Sequence, residues 1–427
     1  MEYLRVSEAQ RVVLESVALL NAESVMLEQS LGRVLAEDIR ANRDLPPYDV
    51  SAMDGYAVRS ADLVQVPVTL EVIEDIRAGD MPGKIVQPGQ CARIMTGAPV
   101  PQGADAVMRV EDTQEISANL IQVITTIKDG HDVRPQGENM RNGDVVLTAG
   151  TEITPGVIGI LATVKITQMQ VYRRPRVAIL STGNELEAIN DPVDMNKIPD
   201  SNTYALMAQV QALGITPTLL GIARDDPAEL ERYLKLGLEY DVLLVSGGTS
   251  VGVHDYVRPT IEKLGVAMKF WRVAMKPGHP LAFGVLHGTE KVPEMDVAPR
   301  CADAFVFGLP GNPVSSMVCF EEFVAPALRR MMGHSRLFRR TVSARLAHSL
   351  KMRPGRTEFV RVQLTHDDTG YVASSTGTQS SGVLLSMARA DGLLVMPSDS
   401  TGLAAGAEVT VQLLDGTAYQ NETNIRE

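Results

Sequence analysis

The sequence has few cysteines, few aromatic residues and no long apolar run. Its 427 residues include 3 cysteines, and aromatic side chains make up 4%. Scattered cysteines in such small number exclude a disulfide framework and a zinc site, which predicts a reducing, cytoplasmic environment. No apolar stretch reaches the ~20 residues of a membrane span, and the N-terminus mixes charge with helical periodicity, unlike a signal peptide. The sequence therefore predicts no membrane partner.

Positive charge is also in short supply. Lysine and arginine total 40 against 52 aspartate and glutamate residues, a formal net charge of −12. Sequence-independent binding of nucleic acid depends on neutralising phosphates, so we expect no nucleic-acid partner. An anionic ligand would have to be held by a local concentration of N–H groups, lysine, arginine or a bound metal.

The order of the patterns predicts a multidomain α/β plus β protein. Residues 1–45 and 144–173 are predicted to form a helical or extended platform, with 46–143 inserted into it as a β-domain of short strands. Strand–helix alternation over 174–334 predicts a doubly wound parallel sheet. Short strands over 335–427 predict a small C-terminal β-barrel.

Polar loops follow the predicted strands of the α/β domain. The loop after strand 242–245 reads Ser246-Gly247-Gly248-Thr249-Ser250. Its glycines let backbone N–H groups approach an anion closely. Glu185 follows the first strand and Asp255 opens a helix, so their carboxylates could meet at the carboxyl edge and hold Mg²⁺. The alternative is an ordinary turn in which Asp255 caps a helix and Glu185 is a solvated charge. For Asp226, which precedes Pro227, helix capping is the favoured interpretation.

The run 270–280 concentrates positive groups. If 272–275 is a strand, Arg272 and Lys276 point to the same side and could clamp an anion. His279 by itself is more often a surface histidine than a ligand. Two other turns give weaker signals. The side chains of Asp200-Ser201-Asn202 could hydrogen-bond a heterocycle, although helix capping explains Ser201. Thr96 could contribute a hydroxyl to a ligand, or it could be an ordinary turn threonine.

The combination of motifs resembles the molybdopterin molybdenumtransferase family, which includes the bacterial MoeA proteins and the E domain of gephyrin. The motifs occur in this order over nearly the whole chain: LPPYDVSAMDGYAV, IMTGAPVP, GADAVMRVED, RPQGENMRNGD, LSTGNEL, PDSN, SGGTSVGVHDY, KPGHP and LPGNPVSS. The resemblance implies an enzyme that inserts molybdenum from molybdate into adenylylated molybdopterin, with Mg²⁺ and with release of AMP. It also implies a homodimer whose active site lies where the α/β domain of one chain faces the β-domain of the other.

The resemblance implies roles for individual residues. Catalytic positions match Asp54, Thr96, Glu185, Asp255 and Lys276. Of these, Glu185 and Asp255 would hold the metal. Pterin-side and phosphate contacts match Asp200, Ser201, Asn202, Gly247, Gly248 and Ser250. The oxyanion pocket matches Lys276, Ser315, Arg361 and Ser381, beside Arg272, His279 and Pro280.

Two departures and two rival functions qualify these expectations. Asn139 stands where many relatives carry an aspartate, so no acid, base or metal role is assigned to it. His279 replaces a common lysine, which predicts a positive charge that depends on pH near neutrality. A pterin or nucleotide adenylyltransferase is one rival, although it would not need the inserted β-domain. A non-catalytic, gephyrin-like scaffold is the other. The adenylyltransferase of the preceding step is also a candidate partner.

Overall fold

The computed structural model describes residues 3–248, 256–288 and 303–414. The chain forms two compact units. The small unit consists of Val25–Leu31 and Glu37–Met169, and the described remainder forms the large unit. Ser250 and Asp255, both predicted ligands, lie outside the described residues. In the described ranges, no helix combines the length and the apolar character needed to cross a membrane.

A six-stranded sheet dominates the small unit. Its strands are β1 Gly55–Val58, β2 Val68–Ile76, β3 Gln90–Ile94, β4 Ala106–Arg109, β5 Thr113–Ser117 and β6 Leu120–Val123. They lie in the order β4-β1-β3-β2-β6-β5, with β2 and β3 parallel and the other neighbours antiparallel. Tyr56 and Val58 enter one core and Ala57 enters the other, because alternate residues of a strand point to opposite faces.

The rest of the small unit is mostly extended chain. All residues of this unit are described, and they contain one α-helix, Pro155–Thr163. The Thr154 hydroxyl caps its start by accepting a hydrogen bond from the Val157 N–H at 3.4 Å. The short elements are strands Ile39–Arg40, Val50–Ser51, Val133–Arg134 and Val145–Leu147, and 3₁₀ turns Leu27–Gln29, Ser60–Leu63 and Val110–Asp112. The ranges of the predicted platform, 1–45 and 144–173, each contain one α-helix, Val6–Ser16 and Pro155–Thr163, among short and extended elements. The platform as a domain stays a prediction.

The large unit contains the α/β sheet, which confirms that part of the predicted fold. Its strands are β7 Val177–Thr182, β8 Thr218–Ala223, β9 Val242–Ser246, β10 Ala267–Phe270, β11 Ala282–Leu286 and β12 Ala304–Leu309. The order is β8-β7-β9-β12-β11-β10; the first four are parallel, and β11 runs antiparallel to both of its neighbours, β12 and β10. The prediction of a doubly wound parallel sheet is corrected at β11, because residues 271–281 between β10 and β11 are too few for a crossover helix.

Helices cover both faces of this sheet. Val177 and Ile179 enter one core, and Ala178 and Leu180 enter the other, so β7 is buried on both sides. On the first face lie three helices, which begin with Val6–Ser16, Ser201–Ala212 and Pro313–Cys319. The third continues through a π-helical turn, Phe320–Val324, into the α-helix Ala325–Met331. On the other lie Pro227–Gly237 and Val257–Lys263. The first helix thus packs in the large unit, and the predicted domain boundaries stay predictions.

The C-terminal strands close into a five-stranded barrel, which confirms the predicted barrel. They are β13 Thr341–Leu346, β14 Thr357–Asp367, β15 Gly370–Ser375, β16 Gly392–Met396 and β17 Glu408–Leu413. The order is β14-β15-β13-β17-β16, and β16 closes on β14. Val360 and Val362 enter the barrel core, whereas Phe359 enters a core of the α/β domain. Strand β14 therefore joins the two domains of the large unit.

The other short elements of the large unit connect these layers. They are strands Leu186–Glu187, Ile198–Pro199, Met275–Lys276, Leu350–Lys351 and Gly402–Leu403, and the helix Leu384–Ala388. Strands Ala22–Met26 and Gln168–Tyr172 fall partly in each unit.

Candidate active site

Asn202 connects three loops at the carboxyl edge of the α/β sheet. Its side-chain N–H group donates to the Ser246 hydroxyl at 2.8 Å and to the Gly311 carbonyl at 2.7 Å. Ser246 ends β9, and Gly311 follows β12, its parallel neighbour. The carboxyl ends of adjacent parallel strands are where ligands bind in open α/β sheets. Asn202 therefore braces the edge at which the sequence places a ligand.

Two glycines form a tight turn at this edge. Gly247 and Gly248 have φ values of +92° and +62°, in the left-handed region that side chains rarely adopt. A Cβ atom on Gly247 would lie 2.6 Å from the Thr182 carbonyl, and one on Gly248 would lie 2.2 Å from a methyl group of Val257. The turn can thus be built only from glycine. The buried Thr182 hydroxyl beside it has no partner in the described part of the chain.

The carboxylate of Asp200 is occupied by hydrogen bonds from its own protein. Its side chain is 4% exposed and accepts hydrogen bonds from the Thr203 N–H at 3.1 Å, the Thr203 hydroxyl at 2.6 Å and the Ser181 hydroxyl at 3.0 Å. Asp200, rather than Ser201, caps helix Ser201–Ala212. The buried Oδ1 of Asn202 has no partner among the described residues, so Asn202 offers an acceptor that Asp200 does not. The pterin-side roles of these three residues stay predictions.

Glu185 is an exposed carboxylate that follows β7. Its side chain has no hydrogen bond or ion pair with any described residue, while the neighbouring Asn184 and Asp225 bond each other's backbone N–H groups at 3.2 Å. The described ranges contain no group of three or more His, Cys, Asp or Glu residues arranged for a metal. A single free carboxylate fits Mg²⁺, which often binds one or two carboxylates and completes its shell with substrate phosphates and water.

Asp226 confirms the capping interpretation. Its carboxylate accepts from the Ala228 and Glu229 N–H groups at 3.1 and 2.8 Å, at the start of helix Pro227–Gly237. Asp226, although it lies at the sheet edge, therefore has a structural role as a helix cap.

In the small unit, the structure brings Asp54 and Thr96 together. One carboxylate oxygen of Asp54 accepts from both the N–H and the hydroxyl of Thr96 at 2.7 Å. These bonds lower the pKa of Asp54, so the exposed carboxylate is ionised at neutral pH. The contact follows from the sheet register, which pairs Gly55 of β1 with Ile94 of β3.

A cavity of about 560 Å³ lies in the small unit beside this pair. Its lining includes Gly97, next to Thr96, together with Pro47, Tyr48 and Asn139. The LPPYD and GENM segments are far apart in sequence, so only the tertiary structure shows that they share one cavity. Asn139 therefore lines a cavity although no chemical role was assigned to it.

Arg361 is a buried cation in the large unit. Its side chain is 1% exposed, its Nε donates to the Ser386 hydroxyl at 3.3 Å, and its Nη2 donates to the Ser380 carbonyl at 3.1 Å. It forms no ion pair with any described residue, and burial lowers its pKa. A buried guanidinium that contacts only neutral acceptors is unfavourable unless an anion binds it.

Backbone hydrogen bonds connect the segment next to Arg361 with the helix that contains Ser315. The Val314 N–H donates to the Ser381 carbonyl at 3.2 Å, which joins the loop before helix Leu384–Ala388 to the start of the helix that contains Ser315. Ser315 is buried, with 4% of its surface exposed. These links put the segments of three predicted oxyanion residues at the junction of the α/β domain and the barrel, and their shared role stays a prediction.

Sequence reasoning missed two residues that hold Arg361. The side-chain amide of Gln379 accepts from the Arg361 N–H at 2.9 Å and donates to the Arg361 carbonyl at 3.2 Å. The Ser386 hydroxyl accepts from Nε, as described above. Both residues belong to a polar loop and a short helix without any distinctive pattern, so the sequence contains no signal for them.

Lys276 has a partner that the sequence did not indicate. Its Nζ lies 3.1 Å from the Glu358 carboxylate, and its side chain is 55% exposed. The strand covers only Met275–Lys276, and the half-buried Arg272 lies outside it. The prediction that Arg272 and Lys276 share one face of a strand was therefore wrong, because 271–274 turns between two sheets rather than running straight.

His279 differs from expectation in its charge. Burial lowers its pKa, the positive charges of Arg356 and Arg272 lower it further, and a hydrogen bond to Val273 opposes them. The ring Nδ1 lies 2.9 Å from the Val273 carbonyl, which requires an N–H at that atom. The lowered pKa favours the neutral form of His279 at pH 7, so its positive charge is less available near neutrality than the sequence predicts. Pro280, half-buried, follows it directly.

Comparison with known proteins decides the family. The chain is 36% identical over 398 residues to the molybdopterin molybdenumtransferase of Nostoc sp., covering 92% of this chain and 88% of the relative. It is 34% identical over 417 residues to that of Bacillus subtilis, covering 96% and 94%. The chain belongs to the molybdopterin molybdenumtransferase family.

Family models and solved structures agree with this membership. Residues 4–164 match the MoeA N-terminal region (domain I and II), 178–330 match a probable molybdopterin binding domain, and 343–414 match the MoeA C-terminal region (domain IV). Two crystal structures of the molybdopterin biosynthesis MoeA protein from Pyrococcus horikoshii are similar to this chain. They have TM-scores of 0.79 and 0.80 at 31% and 29% identity, and cover 96% and 97% of this chain and 99% and 100% of theirs.

Proposed function

We propose that this member of the molybdopterin molybdenumtransferase family acts in molybdenum cofactor biosynthesis, inserting molybdenum from molybdate into adenylylated molybdopterin with release of AMP. The names of its relatives support the activity. The observation on which the proposal rests is Arg361, a buried cation without a carboxylate partner in the described residues, in a segment that hydrogen bonds link to those of Ser315 and Ser381.

The oxyanion is proposed to bind at Arg361. Ser386 and the Ser380 carbonyl use one donor each of Nε and Nη2, so the remaining N–H groups of the guanidinium are available to an oxyanion. Two parallel N–H···O bonds from arginine suit a tetrahedral anion. The hydroxyls of Ser315 and Ser381 and the ammonium of Lys276 would add further donors. Gln379 holds the backbone of Arg361 in place.

Mg²⁺ is proposed to bind at Glu185, with Asp255 as a second ligand and substrate phosphates completing the shell. When bound, the ion would neutralise phosphate charge as the phosphate–phosphate bond breaks. The chain's own contribution is to orient the substrate. Gly247 and Gly248 keep the loop backbone free of side chains, and the buried Oδ1 of Asn202 is an acceptor without a partner among the described residues.

The test is AMP release from adenylylated molybdopterin by the full chain. We expect release that requires both molybdate and Mg²⁺, that stops with a chelator and that returns with added Mg²⁺. Glu185→Gln should raise the Mg²⁺ concentration needed for half activity. AMP release at the full rate in chelator would remove the metal from the proposal. No release under any condition, with the substrate bound, would favour a scaffold, and consumption of ATP with molybdopterin would favour an adenylyltransferase.

We also propose a homodimer in which the active site is shared between chains. The support is that Asp54 and Thr96 belong to the small unit, whereas Glu185 and Arg361 belong to the large unit, together with the family resemblance. A cytoplasmic location and direct transfer of substrate from the preceding adenylyltransferase are proposed on the same basis.

Mixed dimers test the shared site. Asp54→Asn and Asp255→Asn should each inactivate their own homodimer. In a heterodimer purified through two different tags, one site receives both changes and the other receives neither. Turnover should then recover to about half of the unmodified value, since distant sites act independently. Heterodimers as inactive as the parent variants, with normal folding and dimerisation, would show that each site is built within one chain.

A further inference from the structure

The charge of Lys276 is already compensated. Its Nζ lies 3.1 Å from Oε1 of Glu358. The contact is fixed by the backbone, because strand Met275–Lys276 pairs in parallel with β14 and places Lys276 opposite Glu358. The hydrogen bond from the Thr357 N–H to the Ala274 carbonyl at 2.9 Å continues this pairing.

Glu358 and Lys276 differ in how much of each side chain is exposed to solvent. Glu358 is 13% exposed and Lys276 is 55% exposed, so the carboxylate is held and the ammonium is the group that can move. Arg272 and Arg356 lie close enough to influence His279, three residues after Lys276. Glu358 therefore places a negative charge directly beside Lys276.

We propose that Glu358 is an internal counter-ion that competes with the oxyanion for Lys276 and thereby sets the affinity of the oxyanion site. The inference rests on the proposed function, in which Lys276 and Arg361 face molybdate. Glu358 does not touch the substrate in this scheme. It acts through Lys276, as a residue that determines affinity.

The direction of the effect follows from the charges. A dianion that approaches Lys276 meets an ammonium whose field is largely cancelled by the carboxylate, and it is repelled by that carboxylate as well. Glu358→Gln removes the negative charge but keeps an oxygen that can accept from Nζ. We therefore expect about tenfold tighter binding of molybdate, because a like charge beside a partly exposed cation weakens anion binding by about this factor.

The test is calorimetric titration of the full chain with molybdate. Glu358→Gln should lower the dissociation constant about tenfold, and Glu358→Ala, a second neutral variant, should also lower it. Glu358→Asp keeps the charge and should stay near the unmodified value. The dissociation constant of Glu358→Gln should also rise more steeply with salt, because its site is more positive. A purely structural role would change none of these in that direction.

The outcomes separate the inference from the proposed function. If the unmodified chain binds molybdate, and Arg361→Met abolishes this, unchanged or weaker binding by Glu358→Gln overturns the inference alone. Unchanged thermal unfolding of Glu358→Gln would show that this result does not reflect misfolding. If the unmodified chain neither binds molybdate nor releases AMP, both the inference and the proposed function are wrong.

Discussion

Asp200 and Arg361 are both charged and buried, but their surroundings are opposite. Asp200, 4% exposed, accepts three hydrogen bonds from Thr203 and Ser181. Arg361, 1% exposed, contacts a hydroxyl and a carbonyl and has no carboxylate among the described residues. The carboxylate of Asp200 has its hydrogen bonds supplied by the fold, whereas the guanidinium of Arg361 has neutral acceptors but no opposite charge among the described residues.

The difference separates residues of the fold from residues of the site. Asp241 behaves like Asp200: it is 2% exposed and paired with Arg173 at 2.7 Å and Arg176 at 3.3 Å, and these bonds lower its pKa against the opposing effect of burial. Removing one partner of such a buried pair destabilises the protein, because an uncompensated buried charge stays behind. A buried charge without such partners indicates a ligand.

Replacement of Arg361 should have the largest effect on activity. Arg361→Met should reduce molybdate-dependent AMP release by about 10²–10³-fold, because the anion loses a preorganised charged donor. Its unfolding midpoint should stay the same or rise, because the change removes a buried cation without a protein partner. Steady-state assays and thermal unfolding measure the two quantities.

Arg361→Lys is the matched control. Lysine keeps the positive charge but lacks the planar, forked donors of arginine. The activity of this variant should therefore lie between that of Arg361→Met and that of the unmodified chain. Activity of Arg361→Met equal to that of the unmodified chain, or its collapse as a folded protein, would show that Arg361 has the same structural role as Asp200.

Replacement of Asp200 should mainly affect stability. Asp200→Ala removes the acceptor of the Thr203 N–H at the helix cap and of one of the two hydroxyls of Ser181 and Thr203; the other hydroxyl can still donate across their 2.9 Å contact. We expect a loss of about 2–3 kcal/mol in the free energy of unfolding, measured by denaturant titration. Ser201→Ala, at the next position, should cost less than about 0.5 kcal/mol. Equal effects of the two substitutions would contradict the assigned role of Asp200.

Glu322 offers a third, smaller case, a buried carboxyl next to neutral amides. It is 3% exposed, and Gln10 donates to it at 3.2 Å. Burial raises its pKa from 4.5 to about 8, with a further contribution from Glu321. Since this pKa lies above the unfolded value, the stability from protonated Glu322 is full below about pH 4.5 and is lost as the pH rises through about 8.

Glu322→Gln should therefore unfold at a temperature at least about 2 °C higher than the unmodified chain at pH 9, with a smaller difference at pH 5. Thermal unfolding across this pH range measures the effect. Glu321→Gln is the control: Glu321 accepts from Arg339 at 2.8 Å and from Gln209 at 2.7 Å, so its loss should destabilise at both pH values. A difference independent of pH would mean that Glu322 is ionised in the folded protein.

Local features of the site could be predicted because they depend on neighbouring residues. Gly247 and Gly248 follow a short apolar strand, and their positive φ angles are what such a turn requires. Asp226 before Pro227 caps a helix for equally local reasons. The motifs also sufficed for the family resemblance, because their order along the chain is itself a property of the sequence.

The sequence alone determined the alternation of strands and helices, the five barrel strands and the residue types available to the site. Only the tertiary structure decided that β10 and β11 run antiparallel, that Asp200 is satisfied internally and that Arg361 is not. It also decided that Lys276 meets Glu358, which is 82 residues away. Periodicity and turn chemistry act between neighbours, whereas partners of buried charges are chosen when distant strands close around a common core.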